Sequence, residues 1–122
     1  MLLTLTLPRI NDYMSTATIR SVYAAEGASL APGQKLLDLS IDLSAIVPHD
    51  CPPISFYRIA MRERVWLRSL IVTPGTDVEV GAALACFSTV PGEPLDGEAA
   101  RAARVTIAGI IDQSDWWRRG AP

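Results

Sequence analysis

Residues 19–40 are IRSVYAAEGASLAPGQKLLDLS, and residues 67–88, LRSLIVTPGTDVEVGAALACFS, repeat their pattern without a gap. The coinciding positions are Arg20 with Arg68, Gly27 with Gly75, Gly33 with Gly81, Leu36 with Leu84 and Ser40 with Ser88. Each copy predicts a strand, a glycine turn, a short strand, a second glycine turn and a third strand. Two copies are too few for a solenoid, whose stacked units need about three. We therefore predict two halves of one closed β domain.

Length and composition limit the classes of protein and partner. The chain has 122 residues, enough for one core of ordinary size. Its formal net charge is -2, whereas a non-specific phosphate binder carries a basic excess. No stretch has the length of a membrane span or the pattern of a secretory leader. We expect a cytoplasmic protein that binds neither nucleic acid nor membrane, with Cys51 and Cys86 as free thiols.

A family resemblance extends from Leu3 to Ser88. Its residues are Leu7-Pro8, Met14, Ala17-Thr18-Ile19, Glu26-Gly27, Gly33 and Leu36 in the first half, and Pro74-Gly75, Gly81 and Leu84 in the second. With this pattern the stretch resembles the biotinyl/lipoyl carrier domains, especially the lipoyl domains of 2-oxo acid dehydrogenase acyltransferases. The resemblance implies an all-β fold, a flattened β-barrel or sandwich of two small sheets related by a pseudo-twofold axis (a barrel-sandwich hybrid). Glycines would supply positive φ at its tight corners.

The carrier family places a lysine at the tip of the hairpin that joins its halves, where the amine forms an amide with lipoate or biotin. Alignment through Gly33 and Asp38 places Asp42 on the family's aspartate and Leu43 on its lysine. Leucine cannot be acylated. Lys35, the only lysine in the chain, follows a glycine turn and is expected to be a solvated surface residue. We therefore expect no lipoyl or biotinyl cofactor.

The join between the halves also departs from the family. Alternating apolar and polar residues from Leu37 to Ser44 predict a strand that continues through the carrier position. The chain then returns through residues 54–67, so we predict an enlarged central hairpin spanning residues 41–64. The segment 54–64 is open to two interpretations, an extended strand or a short helix from Phe56 to Glu63, because Arg, Ala, Met and Glu are good helix formers.

Arginines are concentrated on the returning arm. In an extended chain one face would carry Arg58, Arg62, Arg64, Trp66 and Arg68. One interpretation is a set of cross-strand contacts with Asp38 and Asp42, each worth about 0.2–1 kcal/mol when exposed. The other is an anion or partner site in which Trp66 stacks on a guanidinium or a ligand ring.

The proline-rich loop contains the residues with the most reactive side chains. His49, Asp50 and Cys51 suggest either a metal site or a Cys–His nucleophile. However, three adjacent residues of an extended loop point in different directions, and the chain has no second histidine. We expect these residues to have no metal-binding or catalytic role.

Residues 91–122 form a C-terminal extension beyond the resemblance. Its alanine-rich stretch Glu98–Arg104 predicts a short helix with Asp96 as a cap, and Val105–Ile111 predicts a strand. The tail contains Trp116, Trp117 and Arg118, residue types that are enriched at interface hot spots. The tryptophans either pack on the domain itself or contact a partner.

Together these patterns predict a carrier-like domain over residues 1–90 followed by the extension. The first hypothesis is a non-catalytic protein-interaction or accessory module that binds a protein partner or associates with itself in a homo-oligomer. The second is a binding module for a small anionic ligand, using Arg58, Arg62, Arg64 and Trp66. Further hypotheses are an intact carrier modified at an unrecognised site and an enzyme that uses Cys51 and His49.

Overall fold

The computed structural model describes residues 1–43 and 54–110. These residues form ten strands and no helix. The strands are β1 (Leu2–Thr6), β2 (Thr16–Val22), β3 (Ser29–Leu30), β4 (Lys35–Asp42), β5 (Ile54–Met61), β6 (Val65–Leu70), β7 (Asp77–Glu79), β8 (Ala83–Ser88), β9 (Arg101–Ala102) and β10 (Val105–Ile110).

The strands form two sheets of five. The first sheet has the order β3-β6-β8-β1-β9, and the second has the order β10-β5-β4-β2-β7. Neighbouring described strands are antiparallel except β1 and β9, which are parallel. Apolar side chains from both sheets pack into one shared core. The prediction of an all-β sandwich is confirmed.

The two repeat copies occupy equivalent places in this sandwich. The first copy is β2, β3 and β4, and the second is β6, β7 and β8. Strand β3 pairs with β6 of the other copy, with Ser29 opposite Trp66, while β7 pairs with β2, with Asp77 opposite Thr18. These two pairs coincide under the alignment of the repeat. Each copy therefore adds its short strand to the sheet of the other, which relates the halves by a pseudo-twofold axis.

Glycines occupy the predicted corners between these strands. The φ angles are 93° at Gly27, 88° at Gly33, 90° at Gly75 and 91° at Gly81. This left-handed region costs other residues roughly 1–2 kcal/mol, so the repeat uses glycine at each corner. The backbone amides of two of these glycines also donate hydrogen bonds to the other copy. Gly27 N–H donates to the Leu67 carbonyl at 2.6 Å and Gly75 N–H to the Ile19 carbonyl at 2.7 Å.

Strand β4 lies in the middle of the second sheet. Leu37, Leu39 and Ile41 are completely buried in the core, and each such side chain stabilises the fold by roughly 1.5–3 kcal/mol. Asp38 and Ser40 alternate with them and therefore lie on the outer face of the sheet. Both are nevertheless buried, because side chains from β2 and β5 cover them.

The central hairpin contains two paired strands of eight residues, β4 and β5. Their antiparallel register runs from Lys35 opposite Ala60 to Asp42 opposite Ile54. Residues 54–61 are therefore a strand, and the alternative of a helix from Phe56 to Glu63 is wrong. Pairing with β4 on one side and β10 on the other satisfies the backbone of β5 and outweighs the helix propensity of its side chains.

The C-terminal extension adds one strand to each sheet. The predicted strand near Val105 is confirmed as β10, which pairs with β5. The short helix predicted over Glu98–Arg104 is wrong, because Arg101 and Ala102 form β9 and pair with β1. Backbone bonds from Ala100 N–H to Leu2 and from Ala103 N–H to Thr4 extend this pairing. Tertiary pairing overrides the weak helix propensity of the alanines.

Within residues 1–43 and 54–110 no helix has the length and apolar character needed to cross a membrane.

Candidate functional site

The structure divides the predicted arginine face between two sheets. Arg58 lies in β5 of the second sheet, and Trp66 lies in β6 of the first. Arg62 and Arg64 lie in the tight turn between them, and both are exposed. The chain changes sheet at this turn, so the four residues do not share the single extended face that the sequence predicted.

Arg58 instead belongs to a cluster on the outer face of the second sheet. It lies directly opposite Asp38 in the β4–β5 register. Its Nε donates to Asp38 Oδ1 at 2.8 Å and its Nη2 to Asp38 Oδ2 at 3.0 Å. Tyr23, one residue past β2, donates its hydroxyl hydrogen to Asp38 Oδ2. The predicted contact between Asp38 and an arginine of the returning arm is therefore present as a bidentate ion pair.

The ionisation of this cluster follows from its contacts. Asp38 is only 7% exposed, and burial alone would raise its pKa. Hydrogen bonds from Arg58 and Tyr23 outweigh burial, so the pKa of Asp38 lies below its usual value. The bond to Asp38 also raises the pKa of Arg58, against a smaller opposing effect of desolvation. The ion pair is therefore fully charged at neutral pH.

Two more cations border the cluster, each against an aromatic ring. Arg20 Nε donates to Ser40 Oγ at 2.9 Å, and its guanidinium lies 5.5 Å from the centroid of the Phe56 ring. Lys35 Nζ lies 4.5 Å from the centroid of the Tyr23 ring. The Arg58 guanidinium lies 5.4 Å from the same ring. Cations at these distances are attracted to the ring faces.

We name this surface the arginine–aromatic face. It consists of Arg20, Tyr23, Lys35, Phe56 and Arg58, arranged around Asp38. Within this set three cations accompany one carboxylate, and Asp42 lies two residues beyond Ser40 at the exposed end of β4. Arginine offers bidentate recognition of carboxylate or phosphate, and the rings offer apolar contact. The surface is chemically suited to binding an anionic group.

Leu43, which the sequence alignment predicted to stand at the carrier-lysine position, makes an apolar contact. Leu43 follows the last residue of β4 and packs, half-buried, against the core. Lys35 lies at the opposite end of β4, exposed at its first residue. It contacts Tyr23 and belongs to the arginine–aromatic face, which the sequence interpretation as an ordinary surface lysine did not anticipate.

The remaining predicted residues are partly outside the described chain. His49, Asp50 and Cys51, and likewise Trp116, Trp117 and Arg118, lie outside the described residues, so their predicted roles stay predictions. Cys86 in β8 is a free, half-buried thiol. In the described ranges 1–43 and 54–110, His, Cys, Asp and Glu form no group of three or more that would hold a metal ion.

Sequence reasoning missed Tyr23, Phe56 and the role of Arg20. A signal for Arg20 was present, because the repeat aligns it with Arg68 and aligns Ser40 with Ser88. Both arginines donate to the serine of their own copy, at 2.9 Å and 3.3 Å. Phe56 and Tyr23 required the register, since they reach the cluster from two different strands that flank β4.

No protein-family model, no curated protein and no solved structure matches the chain.

Proposed function

We propose that this chain is a biotinyl/lipoyl-like domain without the attachment lysine, acting as a non-catalytic interaction module. Its proposed partner is an acidic segment of another protein, bound at the arginine–aromatic face. The repeat of two interlocked halves and the leucine at position 43 support the first part of this proposal. The composition of the arginine–aromatic face supports the second part.

The single observation that carries the partner class is the grouping of three cations and two rings around one buried carboxylate. Asp38 holds Arg58 through two hydrogen bonds, so the guanidinium is already oriented before a partner arrives. Such preorganisation lowers the entropy lost on binding. Tyr and Arg are enriched at protein interfaces, and the 40% exposed Tyr23 presents its ring beside two cations.

The position of this face in the fold favours a protein segment over a small molecule. Small ligands bind mainly in concave sites that cover most of their surface. The five residues of the arginine–aromatic face instead lie side by side on β2, β4, β5 and the residue that follows β2. An extended acidic segment can contact several of them at once.

A small anionic ligand is the second candidate. It is favoured by the convergence of Lys35 and Arg58 on the single ring of Tyr23, at 4.5 Å and 5.4 Å from its centroid. Because both cations lie against one ring, a dicarboxylate that extends across the ring would contact both. A thermal-shift titration with inorganic phosphate and with citrate tests this candidate. A rise in melting temperature that disappears in Lys35→Gln favours it over the protein segment.

Two measurements test the main proposal. First, the intact mass of the chain purified from its native cell should equal the mass of the unmodified polypeptide. An added lipoyl or biotinyl mass would contradict the assignment of Leu43 to the carrier position and would favour a carrier modified elsewhere.

Second, partners are recovered with the full chain and mapped by cross-linking. Variant Arg20→Ser/Lys35→Ser should weaken partner binding by at least about tenfold, equal to roughly 1.4 kcal/mol. Binding should also fall with added salt. The matched comparison is Arg62→Ser/Arg64→Ser, which removes the same charge from the turn and should keep the affinity. Loss of binding only in the turn variant would place the contact at Arg62 and Arg64 and overturn the assignment to the arginine–aromatic face.

A further inference from the structure

The two sheets expose four outer edges that are protected to very different degrees. Strands β3 and β9 are two residues long. Strand β7 is three residues long and contains Asp77 and Glu79. Strand β10 has six residues, Val-Thr-Ile-Ala-Gly-Ile, with no charge and no proline. Short length and charge are the usual means by which proteins prevent strands from pairing at an edge. Only β10, among the described edges, lacks both.

Alternate backbone groups of β10 pair with no other residue in the described ranges 1–43 and 54–110. Arg62 N–H donates to the Arg104 carbonyl at 2.9 Å, and Arg62 and Arg104 continue the register of β5 and β10 by one residue. In an antiparallel pair hydrogen-bonded positions alternate. Thr106, Ala108 and Ile110 therefore direct their N–H and C=O groups toward β5. The N–H and C=O groups of Val105, Ile107 and Gly109 point away from the sheet.

The side chains along this edge are partly uncovered. Val105 and Ile107 pack against the core from its margin and remain half-buried. Gly109 is exposed, and a Cβ placed there would meet no atom within 4 Å. A strand added outside β10 would bury more of Val105 and Ile107 and would meet a smooth, small residue at Gly109.

We propose that β10 pairs antiparallel with β10 of a second copy of this chain, about a twofold axis at Ile107. The outward backbone groups are spaced symmetrically around Ile107, so one twofold axis satisfies all of them. Ile107 then faces its own equivalent, and Val105 lies opposite Gly109 of the second copy, a large residue beside a small one. The pairing joins two five-stranded sheets into one continuous sheet. Each copy contributes the same strand, so the dimer is isologous.

A second copy fits this edge because the large Val105 of each copy lies opposite Gly109 of the other, where no atom lies within 4 Å of a Cβ position. The dimer uses a different surface from the arginine–aromatic face, so it goes beyond the proposed function and does not depend on it. A twofold axis perpendicular to the joined sheet keeps the arginine–aromatic faces of both copies on the same side. The two faces would then engage a partner with two acidic segments more tightly than one face alone, and this consequence, unlike the dimer, rests on the proposed function.

The oligomeric state of the full chain tests the dimer. Sedimentation velocity should give twice the chain mass of 13.2 kDa at high concentration and a lower average mass on dilution. Gly109→Pro removes an outward N–H while leaving the bonds to β5, and should abolish the dimer with an unchanged circular dichroism spectrum. Gly109→Ala keeps the N–H and should remain dimeric. If the proline variant does not fold, Gly109→Lys replaces it, because the site has space for a side chain and a lysine blocks edge pairing.

Amide hydrogen exchange then locates the contact. The amides of Ile107 and Gly109 should be protected at high concentration and exchange faster as the dimer dissociates, whereas those of Thr106 and Ala108 should be protected at every concentration. Protection of Ile107 in a chain that sediments as a monomer would mean that a segment of the same chain covers the edge, and would overturn the proposal.

Two further outcomes overturn it without touching the proposed function. One is a wild-type chain that stays monomeric at every concentration while its salt-dependent partner binding persists. The other is a dimer that survives Gly109→Pro and Gly109→Lys but dissociates in Trp116→Ala/Trp117→Ala, which would place the contact in the tail.

Discussion

The outer faces of the two sheets contain equivalent arginines in different surroundings. Arg20 and Arg68 align in the repeat, and each lies at a register shift in its strand and donates to a serine. Arg68 also donates to the Glu93 carbonyl at 2.6 Å, so the segment after β8 covers the first sheet there. Arg20 instead lies over the ring of Phe56. At equivalent positions of the repeat, Arg68 therefore holds the segment after β8 on the first sheet, whereas Arg20 remains at the surface of the second.

The same contrast appears on the central strand of each sheet, two residues before the serine that accepts the arginine bond. Asp38 aligns with Cys86 in the repeat, and the partners opposite them are Arg58 and Thr4. The second sheet therefore has a charged pair where the first has two small residues. Strand pairing is retained at both places, so this register does not in general require a charged pair. This difference favours a function on the outer face of the second sheet.

The largest expected effect comes from breaking the charged pair. Asp38→Ala removes both hydrogen bonds of Arg58 and the acceptor of the Tyr23 hydroxyl. We expect the free energy of unfolding to fall by about 2–3 kcal/mol. This is below the cost of breaking a fully buried pair, because the Arg58 side chain is 34% exposed and regains water. Urea denaturation at neutral pH measures the loss.

Two control variants are compared with Asp38→Ala. Cys86→Ala, at the equivalent position of the first sheet, should cost less than about 1 kcal/mol. Asp38→Cys/Arg58→Thr copies the residues of the first sheet into the second and should be more stable than Asp38→Ala, since no cation is left beside an apolar residue. A double variant as unstable as Asp38→Ala would show that the charged pair is required for folding and would weaken its functional interpretation.

The connection from β1 to β2 in the first half differs from the connection from β5 to β6 in the second half. The first runs from Leu7 to Ser15 and places Met14, which is buried, in the core. In the second half it is the tight turn Arg62–Arg64. Glu63 in this turn accepts bonds from Arg101 Nη1 at 2.8 Å and Nη2 at 2.6 Å, and from Arg104 N–H at 2.7 Å. The C-terminal extension therefore fastens the shorter connection.

Removing the bonds to Glu63 should have an intermediate effect on the free energy of unfolding, and this effect should depend on pH. We expect Glu63→Gln to lower the free energy of unfolding at neutral pH by about 1–2 kcal/mol, because it removes a charge-assisted pair at a partly exposed site. The bonds from Arg101, with a smaller opposing effect of burial, lower the pKa of Glu63 from 4.5 to about 2.

The sign of the pH dependence follows from this lowered pKa. The Glu63 carboxylate binds a proton less readily in the folded state than in the unfolded state. The stabilisation by Glu63 is therefore complete above about pH 4.5 and is lost as the pH falls toward 2. The difference between wild type and Glu63→Gln should therefore be constant above this window and shrink within it. Urea midpoints measured from pH 7 down to pH 3 test it. A difference that stays constant down to pH 3 would contradict the ion pair.

The sequence predicted the features that depend on local pattern. The strands and the four glycine corners follow from alternation and from the need for positive φ, and the contact between Asp38 and the returning arm follows from pairing of β4 with β5. The helix predicted near Glu98 failed because alanine propensity is weaker than pairing with β1. Tyr23 and Phe56 were missed because no local signal tells which strands flank β4 or which face they share.

The smallest expected effect separates the two equivalent arginines. Arg68→Ser should lower the free energy of unfolding by about 0.5–1.5 kcal/mol, because it removes the bond that holds residue 93 to the first sheet. Arg20→Ser should cost about 0.5 kcal/mol or less, since Arg20 is exposed and a cation over a ring at an exposed site contributes little to stability. Partner binding should show the reverse order, with Arg20→Ser weakening it and Arg68→Ser leaving it unchanged. Paired urea denaturation and binding measurements on the two variants check both orders. Equal losses of stability together with equal affinities would mean that the pseudo-twofold axis relates chemically equivalent faces, and the functional difference between the sheets would then be wrong.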